Sequence, residues 1–212
     1  MYNLIFNLLR KANLAFLLLA IHPRSALRTT GWFKSFRTKK VIDNNNMPIP
    51  WWTYSFIDFL KDRLNNKLKV LEFGCGYSTI WLSFIVNEVV AFEDYPKWAK
   101  NIAGRISENS KIIGVKTITD FQDYAHHIKG KFDILIIDNL GNRIDCAMQN
   151  LTHLNSEGVV IWDNTDGPDW PDIKNLMANK GFKEISFTGM VAQELNQSKT
   201  TLFYRTENCL KI

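Results

Sequence analysis

Lys69–Asp94, KVLEFGCGYSTIWLSFIVNEVVAFED, constrains this chain more than any other stretch. An apolar run, Val70-Leu71, ends in an acid, Glu72, and a glycine turn follows, Gly74-Cys75-Gly76. A helical segment runs from Tyr77 to about Val86, and a second apolar run, Val89-Val90-Ala91-Phe92, ends in Glu93 and Asp94. A strand buried on both faces reads as a continuous apolar run, so this is strand, turn, helix, strand: one βαβ unit. Gly74 and Gly76 let the backbone turn sharply and leave a ligand unobstructed by a Cβ. The helix after them points its free N–H groups at the same crevice. Glu93, 19 residues after Gly74, stands where an acid at a second strand end accepts hydrogen bonds from ribose hydroxyls. The crevice is therefore read as a nucleoside site.

A dinucleotide is disfavoured twice over. The third glycine of G-x-G-x-x-G is replaced by Thr79, and Glu72 would repel a pyrophosphate. A ligand with a sulfonium and an ammonium would instead gain from that carboxylate. With these residues in view, E-F-G-C-G-Y-S resembles the first motif of class I S-adenosylmethionine (SAM)-dependent methyltransferases, and Glu93 resembles their ribose-binding acid. The resemblance covers about Pro50 to Arg205. It implies SAM as cofactor, held by Glu72, Gly74, Gly76, Tyr77, Ser78, Glu93 and Asp138.

The remaining chain is consistent with that fold. Strands are expected at Lys111–Val115, Phe132–Asp138 and Gly158–Asp163, separated by helices at Tyr95–Ser107, Phe121–Ile128 and Asn142–Leu154. A helix at Trp170–Lys180 closes on Gly181, a C-cap signal. Phe182–Phe187 and Thr201–Tyr204 follow with no crossover helix between them, which predicts an antiparallel pair. The expectation is a Rossmann-like α/β domain: a mostly parallel seven-stranded sheet with a terminal antiparallel hairpin and helices on both faces.

Acids cluster where ligands bind in such sheets, at the carboxyl ends of the strands: Glu72, Glu93, Asp138 and Asp163-Asn164. Asp138 with Asp163 and Asn164 resembles, in part, the metal-ligand set of catechol- and caffeoyl-coenzyme-A-type O-methyltransferases. That resemblance implies Asp138 and Asp163 as catalytic residues and a Mg²⁺ ion held by Asp138, Asp163 and Asn164. Where those families carry a lysine, this chain has Gly141, and the nearest base is Arg143, too basic to accept a proton. Without a metal, Asp138 reads as a cofactor-orienting residue and Asp163-Asn164 as a turn cap.

Charge divides the chain. Residues 1–42 hold eight of the 26 basic residues and none of the 21 acids, which leaves the remainder at a net −3. A basic arm and linker are expected over residues 1–47 and the catalytic domain over 48–212. An acidic domain speaks against a nucleic-acid groove across it. The acceptor is expected to be a small molecule or a glycan. Tyr2–Ile21 reads as an apolar helix with a polar stripe of Asn3, Asn7, Arg10 and Lys11. Its uncharged part is shorter than the about 20 residues that a bilayer span requires. Two readings stand: a helix in a membrane interface, or one packed on the domain or on a second copy in a homodimer. Pro50-Trp51-Trp52-Thr53-Tyr54 leads into a helix at Ser55–Leu64, its rings either covering the cofactor mouth or plugging the arm to the core. Three unpatterned cysteines, Cys75, Cys146 and Cys209, read as reduced thiols of a cytoplasmic protein, held at the membrane surface if the arm binds there. The overall expectation is a methyltransferase acting on oxygen. The alternative is a catalytically idle SAM- or nucleoside-binding module that works through a partner. A nicotinamide-type oxidoreductase is opposed by Glu72, Thr79 and the final hairpin.

Overall fold

The computed structural model describes residues 2–14, 17 and 22–212. Seven strands form one sheet in the order β3-β2-β1-β4-β5-β7-β6. They are β1 (Lys69–Phe73), β2 (Glu88–Glu93), β3 (Ser110–Gly114), β4 (Phe132–Ile137), β5 (Leu154–Trp162), β6 (Lys183–Met190) and β7 (Gln197–Tyr204). β1 to β5 run parallel, and β7 inserts antiparallel between β5 and β6. The sheet is the one the strand pattern predicts. β6 and β7 are longer than expected, so the predicted loop Thr188–Ser198 shrinks to residues 191–196.

Alternate residues of each central strand feed two apolar layers. Leu71, Phe73, Phe92, Leu135, Ile137 and Trp162 pack on one face; Val70, Val89, Ile134, Ile136 and Ile161 pack on the other. Burial on both faces is why the strands read as continuous apolar runs. Among the described residues, the longer helices are α1 (Tyr2–Lys11), α2 (Trp32–Thr38), α3 (Tyr54–Lys61), α4 (Tyr77–Ser83), α5 (Pro96–Ala103), α6 (Arg143–Asn150) and α7 (Trp170–Asn179). Several stop short of their predicted ends because the last turns tighten or unwind; α6, for example, passes into a 3-10 turn at Leu151–His153. Of the predicted Tyr2–Ile21 helix, Tyr2–Lys11 is helical; residues 15, 16 and 18–21 lie outside the described set.

The chain ahead of β1 is built into the domain. Trp32, Val41, Ile42 and Ile49 are buried, and Ser35 Oγ both donates to Ile42 O (2.6 Å) and accepts from Ile42 N (3.1 Å). The indole N–H of Trp32 donates to Glu194 O at 2.9 Å, across 162 residues. Residues expected in the arm and linker, Trp32, Val41 and Ile42 among them, thus lie packed in this part of the chain. Trp52 is wholly buried in the layer with Phe56 and Leu60, whereas Trp51 remains 46% exposed at the rim of the sheet.

Candidate functional site

Two cavities open side by side along the carboxyl ends of the parallel strands. The first, of about 410 Å³, is lined by Gly74, Gly76, Tyr77, Ser78, Glu93 and Asp138, together with Asp94, Tyr95, Trp98 and Arg143. The second, of about 480 Å³, is lined by Asp138, Asp163, Asn164, Asp166, Glu194, Asn196 and Gln197. Trp51, Asp138 and Asn164 belong to both linings, so the cavities adjoin.

The two glycines of the turn have different causes. Gly74 sits at φ +90°, and a Cβ there would lie 2.5 Å from Asp138 O, so the passage of the β4 end requires it. Gly76 has extended backbone at φ −172°, and the nearest atom to a Cβ would be Ser78 Oγ at 3.9 Å. Nothing in the protein demands glycine at 76; the space it leaves lies on the cavity. Glu93 ties the turn to β2. Its Oε2 accepts from Cys75 N (3.1 Å) and its Oε1 from Tyr95 N (2.9 Å). Burial raises its pKa, and the two backbone N–H groups oppose that. Trp98 donates its indole N–H to Cys75 O at 2.7 Å, which fixes the other side of the turn.

Glu72 is placed differently from the expectation. It is fully buried under α4, where Ser78 Oγ and Thr79 Oγ1 donate to its two oxygens, the latter at 2.6 Å. It does not line the cavity. Desolvation pushes its carboxyl up to about 8, against those hydroxyls. α4 thus stands between Glu72 and the cavity it was expected to face. Thr79, which breaks the glycine fingerprint, instead closes the turn: its Oγ1 accepts from Gly76 N at 2.8 Å.

At the other half of the rim, Arg143 takes the centre. It projects from the first turn of α6 and donates to Asn139 O (2.7 Å), Asp163 O (2.6 Å), Asn164 Oδ1 (3.1 Å) and Asp138 Oδ1 (3.4 Å). Asp163 turns away from it, its Oδ1 accepting from Thr200 Oγ1 at 2.6 Å in a buried pocket. One oxygen of each member of the trio is therefore already engaged, Asp138 Oδ1 and Asn164 Oδ1 by the guanidinium and Asp163 Oδ1 by a threonine. Among the described residues no group of acids, histidines or cysteines gathers as a metal site, so the Mg²⁺ expectation finds no support. Burial raises the Asp138 carboxyl from 3.8 to about 6, against the pull of Arg143. Burial, and then the neighbouring Asp138, push the Asp163 carboxyl well above its ordinary range.

Sequence reasoning brought Gly74, Gly76, Tyr77, Ser78, Glu93 and Asp138 to one cavity, and Asp138, Asp163 and Asn164 to the next. It passed over Arg143, judged there only as a base. The signal was in its position: a cation five residues past the β4 acid, on the opening turn of a helix, can fold back over that strand end.

No family model matches the chain, and no curated protein matches it. Against solved structures, 418 chains match. An O-methyltransferase from Streptomyces achromogenes, TomG, solved in complex with SAM, aligns with TM-score 0.59 and 18% identity over 84% of this chain and 87% of its own. A precorrin 8w decarboxylase from Methanobacterium thermoautotrophicum aligns with TM-score 0.56 and 14% identity over 79% of this chain and 97% of its own. An rRNA methylase from Streptococcus thermophilus aligns with TM-score 0.53 and 17% identity over 70% of this chain and 92% of its own. At such identities the likeness is one of fold. The three names differ in acceptor and even in reaction, so the fold leaves the acceptor open.

Proposed function

From the class I SAM-dependent methyltransferase fold that this chain has, we propose that it transfers a methyl group from SAM to a hydroxyl of an uncharged small-molecule or glycan acceptor. The observation that carries the reading is the meeting of the two cavities at Asp138, one built around the glycine turn and the other around acids and amides.

The first cavity fits SAM on its own residues. The open space over Gly76 leaves the backbone accessible, and the Glu93 carboxyl lines the cavity, where it can accept from the ribose hydroxyls. SAM, when bound, supplies an electrophilic methyl on its sulfonium sulfur. The chain holds the acceptor in line with that methyl and keeps water out. The acceptor oxygen would bond to that methyl carbon as the carbon–sulfur bond gave way, the electron pair of the broken bond remaining with the cofactor. The proton of the hydroxyl passes to Asp138 and then to solvent. Asp138 suits this role because its carboxyl is raised to about 6 while Arg143 engages only one of its oxygens. Asp163, fixed by Thr200, positions the β5 end.

The second cavity sets the acceptor class. Asp166 and Glu194 join Asp138 and Asp163 there, which opposes a phosphate or another anion. Carboxylates and amides beside the exposed indole of Trp51 match a hydroxyl-rich ring, whose edges donate and whose face stacks.

Calorimetry with SAM, followed by transfer of labelled methyl to neutral glycosides, phosphosugars and RNA, tests the reading. SAM binding and transfer to a neutral hydroxyl acceptor, with a rate that rises through about pH 6, are expected. Folded protein that ignores SAM would overturn the cofactor assignment. Binding without transfer to any acceptor would leave an idle binding module, and transfer confined to RNA or phosphosugars would overturn the acceptor class.

A further inference from the structure

The acceptor cavity is walled in part by a loop that the chain ahead of β1 holds. Residues 191–196 join β6 to β7, and Val191, Glu194 and Asn196 among them line that cavity and not the neighbouring one. Val191 and Ala192 are buried, whereas Glu194, Leu195 and Asn196 are exposed. Gln193 stands between the two halves at φ +69°, in the left-handed region that a side chain adopts only at a cost. Just past that turn, Glu194 O accepts from the indole N–H of Trp32 at 2.9 Å. The donor end of this bond is firmly seated. Trp32 is buried at the start of α2 and stacks on Phe36, their ring centroids 5.1 Å apart. Gly31, at φ +84°, brings α2 so close to the following loop that a Cβ there would lie 2.4 Å from Asp43 C. The exposed half of the loop is thus pinned through one carbonyl to a packed helix, 162 residues away in sequence.

We propose that Trp32 is a positioning residue for the acceptor: by holding the Glu194 carbonyl it keeps Glu194 and Asn196 at the cavity wall, so that one N–H ahead of β1 sets how tightly the acceptor binds. The inference rests on the methyl-transfer reading for what occupies the cavity. A loop without this bond has to be ordered each time an acceptor enters, and that ordering is subtracted from affinity. The transfer step itself is held by other bonds. Arg143 meets Asp138, Thr200 meets Asp163, and Glu93 ties the glycine turn, all away from residues 191–196. The signature of Trp32 is therefore a change in KM with kcat preserved.

Trp32→Phe keeps a ring in place and removes the N–H. In the full-length variant, amide hydrogen exchange over residues 191–197 should quicken by about 3–10-fold, the worth of one hydrogen bond, while the glycine turn at 74–78 stays as it was. For a neutral glycoside that the parent chain methylates, KM should rise by about the same 3–10-fold, with kcat within about twofold and SAM affinity in calorimetry unaltered. Phe36→Leu loosens the same aromatic packing but keeps the N–H, and should leave both readouts as in the parent. Without any variant, the Trp32 indole N–H of the parent chain should exchange with water more slowly than that of the half-exposed Trp51. Unmoved exchange at 191–197, an indole N–H as fast as that of Trp51, or equal effects of the Phe36 and Trp32 changes overturns the proposal. So does a folded Trp32→Phe chain that loses kcat or SAM affinity and keeps its KM. A parent chain that methylates none of the glycosides overturns the methyl-transfer reading instead, and the exchange at 191–197 then decides by itself whether Trp32 holds the loop.

Discussion

The two halves of the strand-end rim hold their acids by different means. At the ends of β1 and β2, Glu72 and Glu93 are satisfied by hydroxyls and backbone N–H groups within about twenty residues: Ser78, Thr79, Cys75 and Tyr95. At the ends of β4 and β5, Asp138 is met by a guanidinium and Asp163 by Thr200, which lies 37 residues away on the antiparallel strand β7. The first half is a local device, rigid because the turn closes on itself. The second is assembled from three separate segments, and its charges balance only while Arg143 is present. The difference separates a turn that needs little beyond itself from a group of acids whose titration depends on a distant guanidinium and hydroxyl.

That contrast can be broken most severely at Gly74. Gly74→Ala adds a Cβ 2.5 Å from Asp138 O at φ +90°, so a loss of at least ~3 kcal/mol, or failure to fold, is expected in urea denaturation. Gly76→Ala, by contrast, meets only open space and should change stability by less than about 1 kcal/mol while blocking SAM binding. Were Gly76→Ala to bind SAM normally, the cavity would lie elsewhere.

Arg143→Met strikes the other half. With its guanidinium gone, the partly buried Asp138 faces Asp163 unneutralised, and a loss of about 1–3 kcal/mol is expected in the same assay. The pH dependence of transfer should also move upward, because Arg143 is what holds the Asp138 pKa down. An unmoved profile would remove Asp138 as the proton acceptor.

Glu93→Ala should weaken SAM binding by about 1.5–3 kcal/mol, the range for hydrogen bonds to a charged group. Calorimetry checks this beside a circular-dichroism spectrum, since Glu93 also holds Cys75 N and Tyr95 N. Full affinity in a folded variant would remove the ribose role.

Glu72 gives a gentler, pH-dependent signature. Its folded carboxyl is raised from 4.5 to about 8, so between these values the unfolded chain releases a proton that the folded chain keeps. Its contribution to stability therefore falls as pH rises through that window, by at most ~1.4 kcal/mol per pH unit, and levels off above it. Glu72→Gln should flatten the decline of melting temperature between about pH 5 and 8 relative to the parent chain. Parallel slopes would show Glu72 ionised in the folded state. The smallest effect expected is none: EDTA should leave activity within about twofold, because Arg143 already supplies the positive charge beside Asp138 and Asn164.

How much of this was readable from the chain follows from the range of each interaction. The sheet and its closing hairpin were legible, because strand burial, glycine turns and the lack of a crossover helix are properties of contiguous residues. Gly74, Gly76, Glu93 and Asp138 were legible as neighbours for the same reason: in a parallel sheet every strand end falls on one rim. The state of the acids was not. Glu72 looks like a ligand-facing carboxylate until α4 covers it and burial raises its pKa. Asp138, Asp163 and Asn164 look like a metal set until Arg143 folds back from α6 and Thr200 arrives on β7. Whether a carboxyl is charged, paired or free depends on which side chains approach within about 3 Å, and on how much water they displace. Those approaches join residues up to 162 positions apart, as Trp32 and Glu194 are, and only the packed chain sets them.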